Sequence, residues 1–98
     1  MQILFLEMAR AEFDDAIAYY NSECPGLGET FLLDALNAIE RIRRFPLAWH
    51  PFTEDTRRCQ LRRFPYGIIY QIEDKDILVL AVANLHREPD YWQDRLQQ

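Results

Sequence analysis

Ala16-Ile17-Ala18-Tyr19-Tyr20-Asn21-Ser22-Glu23-Cys24-Pro25-Gly26-Leu27-Gly28-Glu29-Thr30-Phe31-Leu32 is the stretch on which the fold turns. Upstream, Ala9, Phe13, Ala16, Ile17, Tyr20 and Cys24 recur at spacings of three and four, so residues 8–23 read as an amphipathic helix. Pro25-Gly26-Leu27-Gly28 stops it, because proline cannot extend the hydrogen-bond ladder and glycine accepts positive φ. Downstream, Phe31, Leu32, Ala35, Leu36, Ala38, Ile39, Ile42 and Phe45 form a broad apolar stripe, and a second helix is predicted over 28–45, ended by Pro46. Its acids come early and Arg41, Arg43 and Arg44 come last, as the helix dipole favours. Two helices joined by so tight a turn form an antiparallel hairpin.

Working outward, the period changes. Residues 2–6 read as a strand, and 46–56 as a loop with Trp49, His50 and Pro51. Over 57–63 Arg58, Gln60 and Arg62 alternate with Cys59 and Leu61, a strand with one wet face. Phe64-Pro65 interrupts, residues 66–72 alternate again, and Glu73-Asp74-Lys75-Asp76 is a polar turn. Ile77–Leu85 is apolar at nearly every position, the pattern of a strand covered on both faces. Pro89 suits the first turn of a short terminal helix bearing Tyr91, Trp92 and Arg95. The expected architecture is α+β: an N-terminal strand, then a helical hairpin packed on an antiparallel sheet of about four strands, then a short C-terminal helix. The 98 residues make a single domain, 1–98.

Composition narrows the function classes. Hydrophobic residues at 49% and charged residues at 28% are those of a chain that folds. No run of about 18 apolar residues is present, so no membrane span is expected. Met1–Leu6 has no basic leader and turns charged at Glu7, so a secretory signal is not expected and a cytoplasmic location is. Cys24 and Cys59, with no CxxC and no neighbouring histidine, fit reduced thiols better than a disulfide or zinc site. The net charge is −5, unevenly spread. Residues 1–40 hold eight acids and one base, residues 41–63 seven arginines and two acids, and residues 64–98 six acids and three bases. The arginine block either pairs with acids of the neighbouring helices or forms a docking patch for an acidic partner.

Signatures of small-molecule catalysis are missing. There is no GxGxxG, P-loop, HExxH or GxSxG, and Gly26-Leu27-Gly28 lacks both a third glycine and a preceding strand. His50 and His86 stand alone, so neither a metal site nor a cofactor is expected. What remains is a late cluster, His86, Arg87, Tyr91, Trp92 and Arg95, with Arg62 and Arg63 on a strand that could end nearby. The aromatic residues either anchor the terminal helix or join the arginines in a contact patch of the kind found at protein hot spots and RNA stacking sites.

Three stretches carry a resemblance to a known family. They are Ala16–Tyr20 with Pro25–Gly28, Phe31-Leu32 and Ile42–Pro46; Leu61-Arg62-Arg63-Phe64-Pro65-Tyr66-Gly67-Ile68-Ile69-Tyr70; and Val79–Arg87 with Pro89, Tyr91-Trp92 and Arg95. In this order, over nearly the whole chain, they resemble the RelE/ParE toxin superfamily, the toxin halves of type II toxin–antitoxin pairs, also called plasmid stabilisation proteins.

The resemblance implies a cognate antitoxin, a small DNA-binding protein with a disordered tail that wraps the toxin in a hetero-oligomer. It also implies one of two targets. RelE-like members cut mRNA on the ribosome, using cationic groups and a proton-moving residue; ParE-like members inhibit DNA gyrase and need no catalytic set. Nuclease members tend to carry an arginine in the strand corresponding to Tyr66–Tyr70, where this chain has Gly67. A pI near 4.9 also fits ribosomal RNA poorly. The expectation is therefore a ParE-like gyrase inhibitor. The alternatives are a RelE-like endoribonuclease, with Arg63, His86 and Arg87 as catalytic candidates, or a non-toxic remnant that only binds antitoxin. Target contacts are expected at Arg62, Arg63, His86, Arg87, Tyr91 and Trp92. Antitoxin contacts are expected along the helical stripe, at Phe13, Ile17, Tyr20, Phe31, Ala35, Ile39 and Ile42.

Overall fold

A computed structural model describes residues 1–87 and 89–96. The chain runs β1 (Ile3–Phe5), α1 (Glu7–Glu23), α2 (Leu27–Arg44), β2 (His50–Pro51), β3 (Arg57–Gln60), β4 (Tyr66–Glu73), β5 (Asp76–Asn84) and one 3-10 turn, Gln93–Leu96. The helical hairpin forms as the periodicity requires. α1 buries Ala9, Phe13 and Ala16, and α2 buries Phe31, Ala35, Ala38 and Ile42, each set on one helical face. Gly28 lets the helices meet. A Cβ there would lie 2.5 Å from the Ile17 carbonyl oxygen, and the Gly28 N–H donates to Asn21 Oδ1 at 2.8 Å.

The sheet has five strands in the order β1-β5-β4-β3-β2. It is mixed, whereas an antiparallel sheet of about four strands is the expectation from sequence. β1 lies parallel to β5, with Ile3 opposite Ile77 and Phe5 opposite Val79; the other pairings are antiparallel. Alternation identifies a strand but not its neighbour, and β1 reaches β5 only because the last hairpin returns the chain in the same direction. The loop expected over 46–56 contributes the two-residue edge strand β2 on β3. It is held by Arg57 Nη1, which donates to the carbonyls of Leu47 (3.1 Å) and Trp49 (2.9 Å), and by the Tyr70 hydroxyl, which donates to Pro46 O.

Both sheet faces are covered. Ile68, Tyr70, Ile77, Val79 and Val82 pack under the helices, where Tyr20, Phe31, Phe64 and Tyr66 form an edge-to-face cluster. A bulge leaves Leu80 unpaired between Val79–Tyr70 and Ala81–Ile69. Leu80 and Ala81 therefore join Ile69 and Ala83 on the opposite face, closed by Trp92. The expected terminal helix is reduced to one 3-10 turn, and Pro89 precedes it within a turn.

The strand expected over 57–63 ends at Gln60. The cause is Asp34, a buried carboxylate on α2 that accepts the Arg62 N–H at 3.3 Å and the Arg63 N–H at 2.8 Å and so pulls the backbone off the sheet. Leu61 N and Tyr66 O then close the loop at 2.9 Å. Asp34→Ala should leave two amides unpaired and cost about 1–3 kcal/mol, read as a lower urea midpoint; an unchanged midpoint would remove this account of where β3 ends.

Candidate functional site

Where β1 stops, the edge of β5 from Leu80 onward has no strand partner among the described residues, and side chains take its place. Glu12 of α1 accepts the Val82 N–H at 3.1 Å, and Arg95 Nη1 donates to Leu80 O at 2.8 Å. The two side chains pair with each other at 2.8 and 2.9 Å, and the Tyr91 hydroxyl donates to Glu12 at 2.5 Å. Burial, with the hydrogen bond to Glu12, pushes the Tyr91 pKa well above the usual tyrosine value, and the Glu12 bond raises that of Arg95. This clasp fixes the C-terminal segment to α1 and β5. Above it the Arg87 guanidinium stacks on Tyr91 at 3.9 Å and lies 4.0 Å from Glu12.

Two clefts flank this body. One, of about 400 Å³, lies between α2 and the loop after β3 and is lined by Thr30, Leu33, Asp34, Asn37, Arg62 and Arg63. The other, of about 270 Å³, opens beside α1 and includes Asp15, Tyr19, Tyr66, Asn84, Arg87 and Tyr91. The Leu85 N–H donates to Pro65 O at 2.8 Å, so the backbones of the two loops touch. Their arginines nonetheless line different clefts, Arg62 and Arg63 the one beside α2 and Arg87 the one beside α1. Of the three catalytic candidates, Arg63 faces the α2 cleft, Arg87 the α1 cleft, and His86 is exposed, its backbone N–H donating to Asn84 Oδ1 at 2.9 Å.

Two other expectations are corrected. Trp92 is 1% exposed, donates through Nε1 to Pro89 O and stacks near Phe52, so it is a core anchor and not a target contact. The stripe assigned to antitoxin is largely interior. Phe13, Phe31, Ala35 and Ile42 are buried beneath the sheet, and Ile17, Tyr20 and Ile39 are half-buried. The sheet covers the stripe, helped by Phe64 of the β3–β4 loop and Tyr66 of β4, which pack on Tyr20 and Phe31. Apolar surface is left open at Leu33 (68% exposed) and Leu36 (47%) on α2 and at Phe45 and Leu47 beyond it, as well as at Leu4, Met8 and Tyr19.

The arginine block is only partly spent inside the fold. Arg43 pairs with Glu40 at 2.7 Å, Arg41 bonds Asn37 and stacks on Trp49, and Arg57 holds loop carbonyls. Arg62 and Arg63 remain on the α2 cleft. Glu12 and Arg58 are not singled out by the sequence: Glu12 of α1 holds the edge of β5 and Arg58 of β3 packs over Gly67 and Phe52, and only long-range contact reveals either. Cys24 and Cys59 are free thiols, and burial raises the pKa of Cys59. Among the described residues no group of three His, Cys, Asp or Glu side chains could hold a metal, and no helix is long and apolar enough to cross a membrane.

The fold is thus a two-helix layer on a mixed five-stranded sheet, flanked by open clefts lined by charged side chains. The chain belongs to the ParE toxin family of the type II toxin–antitoxin system parDE, whose family model matches residues 3–91. A solved structure, a chromosomal ParDE toxin–antitoxin system from P. aeruginosa, superposes with a TM-score of 0.78 at 18% identity, covering 88% of this chain and 97% of that one. No curated protein matches it by sequence.

Proposed function

We propose that this ParE-family toxin acts in the cytoplasm by inhibiting DNA gyrase and is neutralised by a cognate antitoxin, a small DNA-binding protein whose disordered tail folds onto it. Family membership supports the toxin role. The observation that carries the choice of a protein target is the separation of Arg63 from Arg87: cationic groups for phosphoryl chemistry have to converge on one reacting centre, and these line separate clefts. Gly67, at the strand position where the resemblance places a nuclease arginine, points the same way. The test is gyrase supercoiling with purified toxin. Inhibition at micromolar toxin is expected; none at micromolar excess counts against the reading, and codon-specific mRNA cuts on translating ribosomes would replace it.

For the antitoxin, the supporting feature is the open apolar strip of Leu33 and Leu36 beside Arg62 and Arg63, which suits an amphipathic segment carrying acids. Leu33→Glu should weaken capture of the antitoxin encoded by the adjoining short reading frame by about 1–3 kcal/mol, since it buries a charge against apolar contacts. Titration of the purified pair measures it, and unchanged affinity would move the antitoxin off this face.

A further inference from the structure

We propose that the open edge of β3 at Gln60 takes a short, extended, acidic segment of a partner protein as an added strand, with Arg41 as its ion-pair partner. The site is separate from the proposed gyrase contacts and from the Leu33–Leu36 strip, and it rests on neither reading.

The β3–β4 ladder fixes which way Gln60 points. The Leu61 N–H donates to Tyr66 O at 2.9 Å, and Cys59 stands opposite Ile68. Bonded and unbonded positions alternate in an antiparallel pair. Gln60, opposite Gly67 between those two positions, therefore turns its N–H and C=O away from β4, towards the outer edge. β2 covers that edge only as far as His50, opposite Arg58. Ala48, two residues before His50 in the same line, turns aside and donates its N–H to Phe45 O at 3.1 Å. The strand position beside Gln60 is thus vacant. It opens on a cleft of about 460 Å³ lined by Arg41, Trp49, His50, Arg58, Gln60 and Leu61.

Arg41 holds the seat of the missing strand. Its Nη2 donates to the Gln60 carbonyl across a long 3.4 Å, and the Gln60 N–H meets no acceptor among the described residues. A peptide backbone supplies what both groups lack, a carbonyl for the N–H and an N–H for the carbonyl. Charge selects which peptide. The bonded partners of the Arg41 side chain are neutral, Asn37 Oδ1 and Gln60 O. Arg58 is a second cation of the lining, and no carboxylate is among the described residues there. Once the incoming strand takes Gln60 O, the Arg41 guanidinium is released to a carboxylate of the same segment. Nucleic acid fits less well. Trp49 is half-buried, donates through Nε1 to Arg41 O and lies under the Arg41 guanidinium at 5.4 Å, so its indole is committed within the fold and not to a base. The gap is one bonded position long and flanked by α2 and Trp49, so it admits a threaded segment and not the flat edge of another sheet.

The measurement is the backbone amide signal of Gln60 in the uniformly 15N-labelled full chain, at about 150 mM salt to suppress nonspecific attraction. An alternating Glu-Thr octapeptide is titrated, then its Lys-Thr counterpart, the Glu-Thr peptide N-methylated throughout, and a uridine octanucleotide. The Glu-Thr peptide should move the Gln60 signal, and the other three should not. Arg41→Gln should weaken the peptide about tenfold through loss of the charged partner. Gln60→Pro, which removes only an outward amide at an edge, should weaken it by about as much. Arg10→Gln, on the exposed side of α1, should leave binding unchanged. The proposal is overturned if no peptide moves the signal, or if the Lys-Thr or N-methylated peptide matches the Glu-Thr one. It is equally overturned if the oligonucleotide acts at lower concentration than the peptide, or if either variant binds like the parent with an intact amide spectrum.

Discussion

Replacing Glu12 with leucine should destabilise the protein by about 3–5 kcal/mol, the range for breaking one partner of a buried ion pair. The Arg95 side chain is 8% exposed and that of Glu12 17%, so water cannot replace what either loses. The leucine would leave Arg95 without its counter-charge, the Tyr91 hydroxyl without an acceptor and the Val82 N–H without a partner on an edge that β1 does not reach. The diagnostic comparison is the double variant Glu12→Leu/Arg95→Leu. Removing both charges avoids the stranded guanidinium, so the double variant should be more stable than Glu12→Leu alone. Urea midpoints of the three proteins decide it. A double variant that merely sums two losses would mean the carboxylate serves the backbone and tyrosine bonds, and its charge is incidental.

Trp92→Ala should cost a comparable amount, about 3–5 kcal/mol, because a fully buried indole is removed from a sheet face with nothing else large enough to fill the space. Trp92 covers Ile69, Leu80, Ala81 and Ala83. Without it the back of the sheet is open to solvent, and a hydrophobic dye should bind under native conditions. Trp92→Phe should recover part of the loss, since the ring contact with Phe52 at 5.8 Å can persist. A urea midpoint within experimental error of the parent for Trp92→Ala would show that the C-terminal segment is dispensable to the fold.

The parts legible in the sequence are those governed by local physics. The helix limits lie within one residue of those read from spacing and from Pro25 and Pro46, because periodicity and chain-breaking residues act over a few positions. The two-sided burial of β5 is equally visible as a run apolar at nearly every position from Ile77 to Leu85. What escaped depends on partners far along the chain. Asp34 reads as one more polar residue of α2, yet 28 and 29 residues later it decides where β3 ends. Glu12 lies among the other acids of α1, and only the end of β1 beside Val82 gives it a task.

The stripe on residues 31–45 is as wide as read, but width does not tell whether the covering layer is the chain's own sheet or another molecule. The chain's own sheet supplies that cover, with Phe64 and Tyr66 packed on Tyr20 and Phe31, and leaves Leu33 and Leu36 exposed. The aromatic pair Tyr91-Trp92 divides in the same way, one ring half-exposed under Arg87 and the other in the core.

The two-residue strand at the far border of the sheet bears on how the protein behaves while it has no partner. His50–Pro51 is too short to template a second molecule, and Pro51 has no amide hydrogen to offer one. A flat, unprotected border would invite copies to stack into fibres whenever free chains accumulate. With that border blunted, free chains have no ready route to stacking there.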